Sequence, residues 1–326
     1  MKYMPPKFTK LAEMAAIDVG RLTEDEARAI LEKIRWPKGL ACPHCGSKKV
    51  TRIQAKSDKI RDGVIQCNDC KGQFTVTVGT VMHRSHITLR QWVQAFYAMC
   101  SSKKGVSALQ LQRNLGLHSY KSAWHLAHRI RAAMGNRTSK KMLKGTVEVD
   151  ETYIGGKPRH DKKWRNTLNK NGRGLYAGRS TKKTPVMVLV ERQGNAVSRP
   201  VKRVDAANLK TAIREIVDRQ STIMTDEWKS YCGIGKEFAG GHGVVNHGMG
   251  QYVNGNVYTN TAESYFALLK RGVHGVFHHV SKQHLPRYCG EFSFRWNYRK
   301  VNDGKRTEAA IRGADGQRLT YKKVIC

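Results

Sequence analysis

Hydrophobic positions in the first 140 residues recur at helical spacing. Thr23-Glu24-Asp25-Glu26 forms a capping box, in which the Thr and Glu side chains satisfy each other's backbone N–H groups. Ala27, Ile30, Leu31 and Ile34 then fall on one face, and Pro37 stops the run. Thr88 with Gln91 opens a second helix, whose Trp92, Ala95, Phe96 and Met99 make a core-facing stripe. Ser107 caps a short helix with Leu111 and Leu115 inward, and Gly116 closes it. In the longer helix that follows, Ala123, Trp124, Ala127 and Ile130 are the buried positions.

From Gly145 the period shortens to two. Over 146–154 Glu148, Asp150 and Thr152 share one face of a predicted strand, while Val147, Val149 and Glu151 share the other. Residues 184–190 resume the sheet, and strands over 185–191 and 196–204 join through Gly194-Asn195 as a hairpin. Asp205 caps a helix with Leu209, Ile213, Ile216 and Val217 inward. It leads to an apolar strand, 221–226, that ends in Asp226. A Gly- and His-rich connection follows, and Thr261 then opens a helix with Glu263, Phe266, Ala267 and Lys270 on one side.

These changes of texture divide the chain into an N-terminal helical segment (1–38), a cysteine-bearing β module (39–84) and a helical region (85–140). An α/β domain (145–300) and a C-terminal tail (301–326) complete it. Residues 157–183 are rich in Gly, Asn, Lys and Arg and read as a basic loop inserted in the sheet.

Charge narrows the choice of partner. The 326 residues carry 59 Lys and Arg against 25 Asp and Glu, a formal net charge of +34. Such an excess repels itself in the compact state and is offset by a polyanion, for which nucleic acid is the leading candidate. No run approaches the roughly 18 apolar residues that span a bilayer, and the start lacks the apolar stretch of a secretion signal. A cytosolic, reducing setting is therefore expected, with no membrane partner and no disulfide framework.

Cys42-Pro-His-Cys45 and Cys67-Asn-Asp-Cys70, 21 residues apart, are two hooks suited to one tetrahedral zinc. His44 lies inside the first hook as a competing ligand. A closed shell of four thiolates leaves no position for substrate, so this zinc is expected to be structural. The Ser107 and Ala123 helices resemble a helix-turn-helix whose second helix offers Lys121, His125, His128, Arg129 and Arg131 on other faces. Of these, Lys121, His125 and Arg129 are the candidate DNA contacts. A plain helical hairpin with a solvated charged face is the alternative.

Scarce acids in a basic chain are candidate ligands for a divalent ion. Asp150 lies on the alternating strand and Asp226 at the carboxyl end of another, where open α/β sheets place their chemistry. Glu263 lies on a helix further on, with 36 residues between it and Asp226. Glu148, Glu151 and Glu227 are nearby acids ranked below them, and His278 and His279 are weaker candidates again.

In this order, the segments VDETYIGGK, TDEWKSY and NTAESYFALLKRGVHGVFHHVSKQHLPRYCGEFSFRWNYR resemble the core of bacterial insertion-sequence transposases of the DDE type. The group in question carries an N-terminal zinc ribbon and is related to the eukaryotic Merlin elements. The resemblance implies a ribonuclease-H-like domain with Asp150 and Asp226 on adjacent central strands and Glu263 on a following helix. It places Lys270, with Arg271 beside it, as basic residues that contact substrate DNA. It implies a homo-oligomer acting on double-stranded element ends and target in the bacterial nucleoid. Pro286 departs from the group's pattern, so the last helix either kinks there or begins late.

The chemistry expected is phosphodiester cleavage with two Mg2+ or Mn2+ ions, Asp150 bridging them and Asp226 and Glu263 each holding one. Two other functions compete. One is a zinc-dependent DNA-binding regulator or domesticated transposase without catalysis, and the other is a nuclease of the same fold that cuts without joining.

Overall fold

The computed structural model describes residues 10–53, 62–138, 142–155, 183–249, 253 and 255–325, the side chains of 136–138 and 247 excepted. The basic loop expected over 157–183 therefore lies outside the described residues, save for Lys183. The chain forms two compact units, one of residues 1–137 with 298–326 and the other of residues 138–297. Among the described residues no helix is long and apolar enough to cross a membrane.

The first unit begins with α1 (Ala16–Gly20) and α2 (Glu24–Arg35), and the Thr23–Glu26 capping box is formed as its sequence predicts. A small antiparallel sheet follows, ordered β1 (Val50–Arg52), β2 (Ile65–Cys67), β3 (Gln73–Phe74). Its core is little more than Ile65, Phe74, Cys42 and Cys67, edged by Trp36 and Leu40. Three helices come next, α3 (Leu89–Ser101), α4 (Ala108–Leu115) and α5 (Tyr120–Thr138). Gly116 closes α4 at φ +62°, in the left-handed region that favours glycine.

The segment expected as a C-terminal tail is folded. Asn302 caps α9 (Asp303–Arg312), and Ala309, Ala310 and Ile311 are buried where the helix packs against α3, α2 and the turn at Leu11–Glu13. Gly304 makes that approach possible, since a Cβ there would sit 2.3 Å from the Leu11 carbonyl. Glu308 accepts from the Ala12 amide at 3.1 Å, and Asp315 pairs with Arg35 at 2.8 Å. A last helix, α10 (Tyr321–Ile325), ends the described chain.

The second unit is built on a five-stranded mixed sheet. Its strands are β4 (Thr146–Ile154), β5 (Thr184–Glu191), β6 (Ala196–Pro200), β7 (Thr222–Asp226) and β8 (His242–Val245), in the spatial order β6-β5-β4-β7-β8. Antiparallel pairing joins β4 to β5 and β5 to β6, while β4 runs parallel to β7 and β7 to β8. Helices lie against both faces of its β4–β5–β6 side, so these strands split their side chains between two cores. Val147, Val149, Met187 and Leu189 pack with α6 (Ala206–Ile216), whereas Ile154, Val186, Val188 and Val190 pack with α7 (Asn260–Gly272) and α8 (Leu285–Asn297). The departure at Pro286 is resolved by a late start. α8 begins at Leu285, so the proline sits in the first turn, where no intrahelical N–H is required.

Candidate active site and metal centre

The alternation on β4 decides which acids face which layer. Glu148 and Asp150 point with Ile154 toward α7, and Glu151 points toward α6, where it accepts a short hydrogen bond from the Tyr231 hydroxyl. Parallel pairing brings Glu148 opposite Met224, the last registered pair between β4 and β7. Asp150 and Asp226 each lie two residues beyond that pair, so they are level with one another and on one face. The Asp226 carboxylate also accepts from the Trp228 amide at 3.1 Å.

Glu263 lies in the first turn of α7, exposed on the side away from the buried Ala262, Tyr265, Phe266 and Leu269. Lys270 and Arg271 are exposed in its last turn, with the Lys270 ammonium 6.0 Å from the Phe266 ring. A π-helical turn, Val273–Phe277, extends α7, and His278 and His279 beyond it are exposed. Glu227 is exposed and accepts from the Gly248 amide at 3.2 Å.

Electrostatics tie the three candidate acids together. Burial above all, joined by the charges of Glu151, Asp226 and Glu263, raises the Asp150 carboxyl from an ordinary 3.8 to about 8, against a hydrogen bond from the Glu151 amide at 2.7 Å that favours its charged form. A carboxyl raised in this way holds its proton near neutral pH until a cation replaces it. Oxygen donors of this kind suit Mg2+ or Mn2+. Among the described residues these carboxylates are not drawn within 4.8 Å of one another, a spacing that only the four cysteines reach.

Those cysteines fit a metal closely. Sulfur atoms about 2.3 Å from a tetrahedral zinc stand roughly 3.8 Å apart. Cys42 and Cys70 are separated by 3.7 Å, and Cys45 and Cys67 by 3.6 Å. The hook geometry is set by the backbone. The Gly46 amide bonds the Cys42 carbonyl at 2.9 Å with Gly46 at φ +76°, and the His44 amide reaches the Cys42 sulfur at 3.4 Å. His44 stays outside the four-sulfur set.

The basic stripe expected on α5 is turned inward, which corrects the sequence-based expectation for two of its residues. Arg129 is 6% exposed, donates to the His83 carbonyl at 2.6 Å and lies 5.1 Å over Trp92. Burial, with Arg318 nearby, pulls its guanidinium down to about 10. His125 meets the Leu319 carbonyl at 3.1 Å and stands edge-on to Tyr321. His128 and Arg131 are buried as well. The returning C-terminal segment covers this side of the helix, and carbonyls and aromatic faces take the place of phosphate. Lys121 alone of the three candidates is exposed, its ammonium 4.4 Å from the Tyr321 ring.

Sequence reasoning also undervalued Glu148. This acid is fully buried among apolar neighbours and is bonded to Arg192 and to the start of α7. The available signal was its place inside an apolar alternation, because a buried carboxylate there requires a partner.

Known proteins resemble the chain at both of these places. Residues 142–297, the span of the acid-bearing sheet, match the family described as ISXO2-like transposase domain, and residues 22–73 match the transposase zinc-ribbon domain. The uncharacterized protein in transposable element ISH50 of Halobacterium salinarum is 30% identical over 279 residues, covering 84% of this chain and 91% of that protein. The crystal structure of the Mos1 strand transfer complex is similar over 70% of this chain and 79% of its own, at 13% identity. Its TM-score of 0.29 is too low to bear on the fold. With sheet and ribbon both matched, and a relative aligned along nearly its whole length, the chain belongs to the ISXO2-like transposases that carry an N-terminal zinc ribbon.

Proposed function

We propose that this transposase binds the terminal inverted repeats of its element, cleaves the DNA at the element ends and joins the freed 3'-hydroxyls to target DNA. The observation that carries the reading is Asp150, level with Asp226 on one face of the sheet: burial first, and then the charges of Glu151, Asp226 and Glu263, hold its carboxyl at about 8. Two divalent ions held there would activate the attacking oxygen and neutralise the departing one. In this reading Asp150, central on β4, would serve both ions, and Asp226 and Glu263 would each hold one. Lys270 and Arg271, exposed at the end of the same helix, are placed to hold the phosphate backbone.

A ribonuclease-H-like fold belongs to this proposal. The strand order supports it, with β5 alone running against the other four strands and β4 at the centre beside β7. The net charge of +34 supports a duplex DNA partner. Joining two element ends to one target is work for more than one copy of the chain.

The test is to incubate the protein with a terminal-repeat duplex, a target plasmid and Mg2+. Products in which element ends are covalently joined to target are expected. Cut ends without joined products would instead establish a nuclease, and binding without any cleavage a regulator.

The DNA contacts have their own test. Lys121→Ala is expected to keep the melting temperature and to reduce the salt slope of end binding by about one phosphate contact. Arg129→Ala is expected to leave that slope unchanged and to cost about 2 kcal/mol or more of stability, because it strands the His83 carbonyl and opens a cavity under Trp92. A changed slope with unchanged melting for Arg129→Ala would return it to the DNA surface.

A further inference from the structure

The face of β4 that carries Asp150 holds one more acid than the proposed chemistry uses. Glu148 lies two residues before Asp150, about 6.6 Å along the strand, and none of its surface is exposed. Its carboxylate accepts four hydrogen bonds, from Arg192 Nε at 2.7 Å, the Thr261 amide at 2.8 Å, the Thr261 hydroxyl at 2.9 Å and the Ala262 amide at 3.1 Å. Three of these donors belong to the first turn of α7, the turn that carries Glu263.

A helix N-terminus leaves its first N–H groups without intrahelical partners, and a side chain at the cap position ordinarily takes one of them. Thr259, at that position on α7, makes no such bond. The cap is supplied instead by an acid from the central strand. Arg192 completes the clamp by donating to the carbonyls of Asn256 at 2.8 Å and Tyr258 at 3.0 Å, with its guanidinium 3.6 Å over the Tyr258 ring. The chain entering α7 is thus held through its backbone by Glu148 and Arg192.

We infer that Glu148, paired with Arg192, is a positioning residue: it fixes the start of α7 so that Glu263 stays within reach of Asp150 and Asp226. This inference rests on the metal-dependent function proposed above. It assigns Glu148 no contact with metal or DNA, because its oxygens are taken by the clamp.

Glu148→Gln keeps the shape but replaces one acceptor oxygen with an N–H donor. Hydrogen exchange at the Thr261 and Ala262 amides is expected to accelerate at least about tenfold. Mn2+ affinity, measured by calorimetry without DNA, is expected to fall by about ten- to a hundredfold, the range typical of groups that orient metal ligands. In end cleavage the half-saturating Mn2+ concentration is expected to rise by the same factor, with the rate at saturating Mn2+ largely restored. Unchanged amide exchange, or faster exchange with unchanged Mn2+ affinity, overturns the inference. Should Glu148→Gln fail to fold, Thr261→Val removes one of the four bonds and decides the matter, since an unchanged Mn2+ affinity in that variant is equally fatal. Wild-type protein that takes up no Mn2+ would defeat the proposed function, and the exchange result would then decide the clamp by itself.

Discussion

Replacing Asp150 or Asp226 with Asn, or Glu263 with Gln, is expected to slow cleavage at the element end by about a thousandfold or more. That is ~4 kcal/mol of activation free energy. Each substitution keeps side-chain volume and removes one anionic oxygen from a site whose task is to hold two cations against a phosphodiester. End binding should persist, because the basic surface is untouched. Wild-type rates in any of the three variants would remove that residue from the site, and wild-type rates in all three would end the two-ion reading.

Asp150 also gives the first prediction a form that needs no DNA. Its folded-state pKa of about 8 lies above the ordinary 3.8, so between those values the folded protein keeps a proton that the unfolded chain has released. Stability contributed by this group is therefore greatest at low pH, declines as pH rises through that window and is level above it. Asp150→Asn carries no such charge. Without metal, it should melt close to wild type near pH 4 and increasingly above it toward pH 8. Mn2+ added at pH 8 should raise the wild-type melting temperature and leave Asp150→Asn unmoved. A melting difference independent of pH would mean that the four acids on β4, β7 and α7 are not coupled as described.

The second large effect concerns zinc. Cys67→Ser, or removal of metal by a strong chelator, is expected to unfold the ribbon over about 40–78 and to abolish specific end binding. The ribbon's own core is too small to fold unaided, since Cys42 and Cys67 are themselves half of it beside Ile65 and Phe74. Metal binding is then folding free energy. Hydrogen exchange should show loss of protection at the Ile65, Cys67 and Gly46 amides while β4 and β5 keep theirs, and metal analysis should find about one zinc per chain. A chelated protein with a protected ribbon would show that the sulfur set is not what holds it.

Much of this was legible in the sequence because it is local. The Thr23–Glu26 box, the Thr88 and Ser107 caps and the two faces of β4 each depend on residues a few positions apart. Pro286 signalled either a kink or a late start in the last helix of the domain, and the structure takes the late start. The cysteine hooks declared themselves by spacing. Two things were not legible. The Arg129 side chain reads the same whether it meets a phosphate or the His83 carbonyl, and the C-terminal segment that covers α5 meets His125 from 194 residues away. Residues 301–326 read only as a tail because the buried face of α9 is short and rich in alanine, with little hydrophobic signal of its own.

The acids mark the same boundary. The sequence by itself determined that Asp150 shares a strand face with Glu148, that Asp226 ends an apolar strand and that Glu263 rides an amphipathic helix, since side-chain direction follows from backbone period. Only the tertiary structure decided how the strands and the helix that carry them are set against one another. Parallel pairing sets Asp150 and Asp226 level, and Glu148 bonds the first turn of α7, which carries Glu263 and begins more than a hundred residues further along the chain. Register between strands and the docking of a helix end are non-local hydrogen-bond choices, and no periodicity within a single segment encodes them.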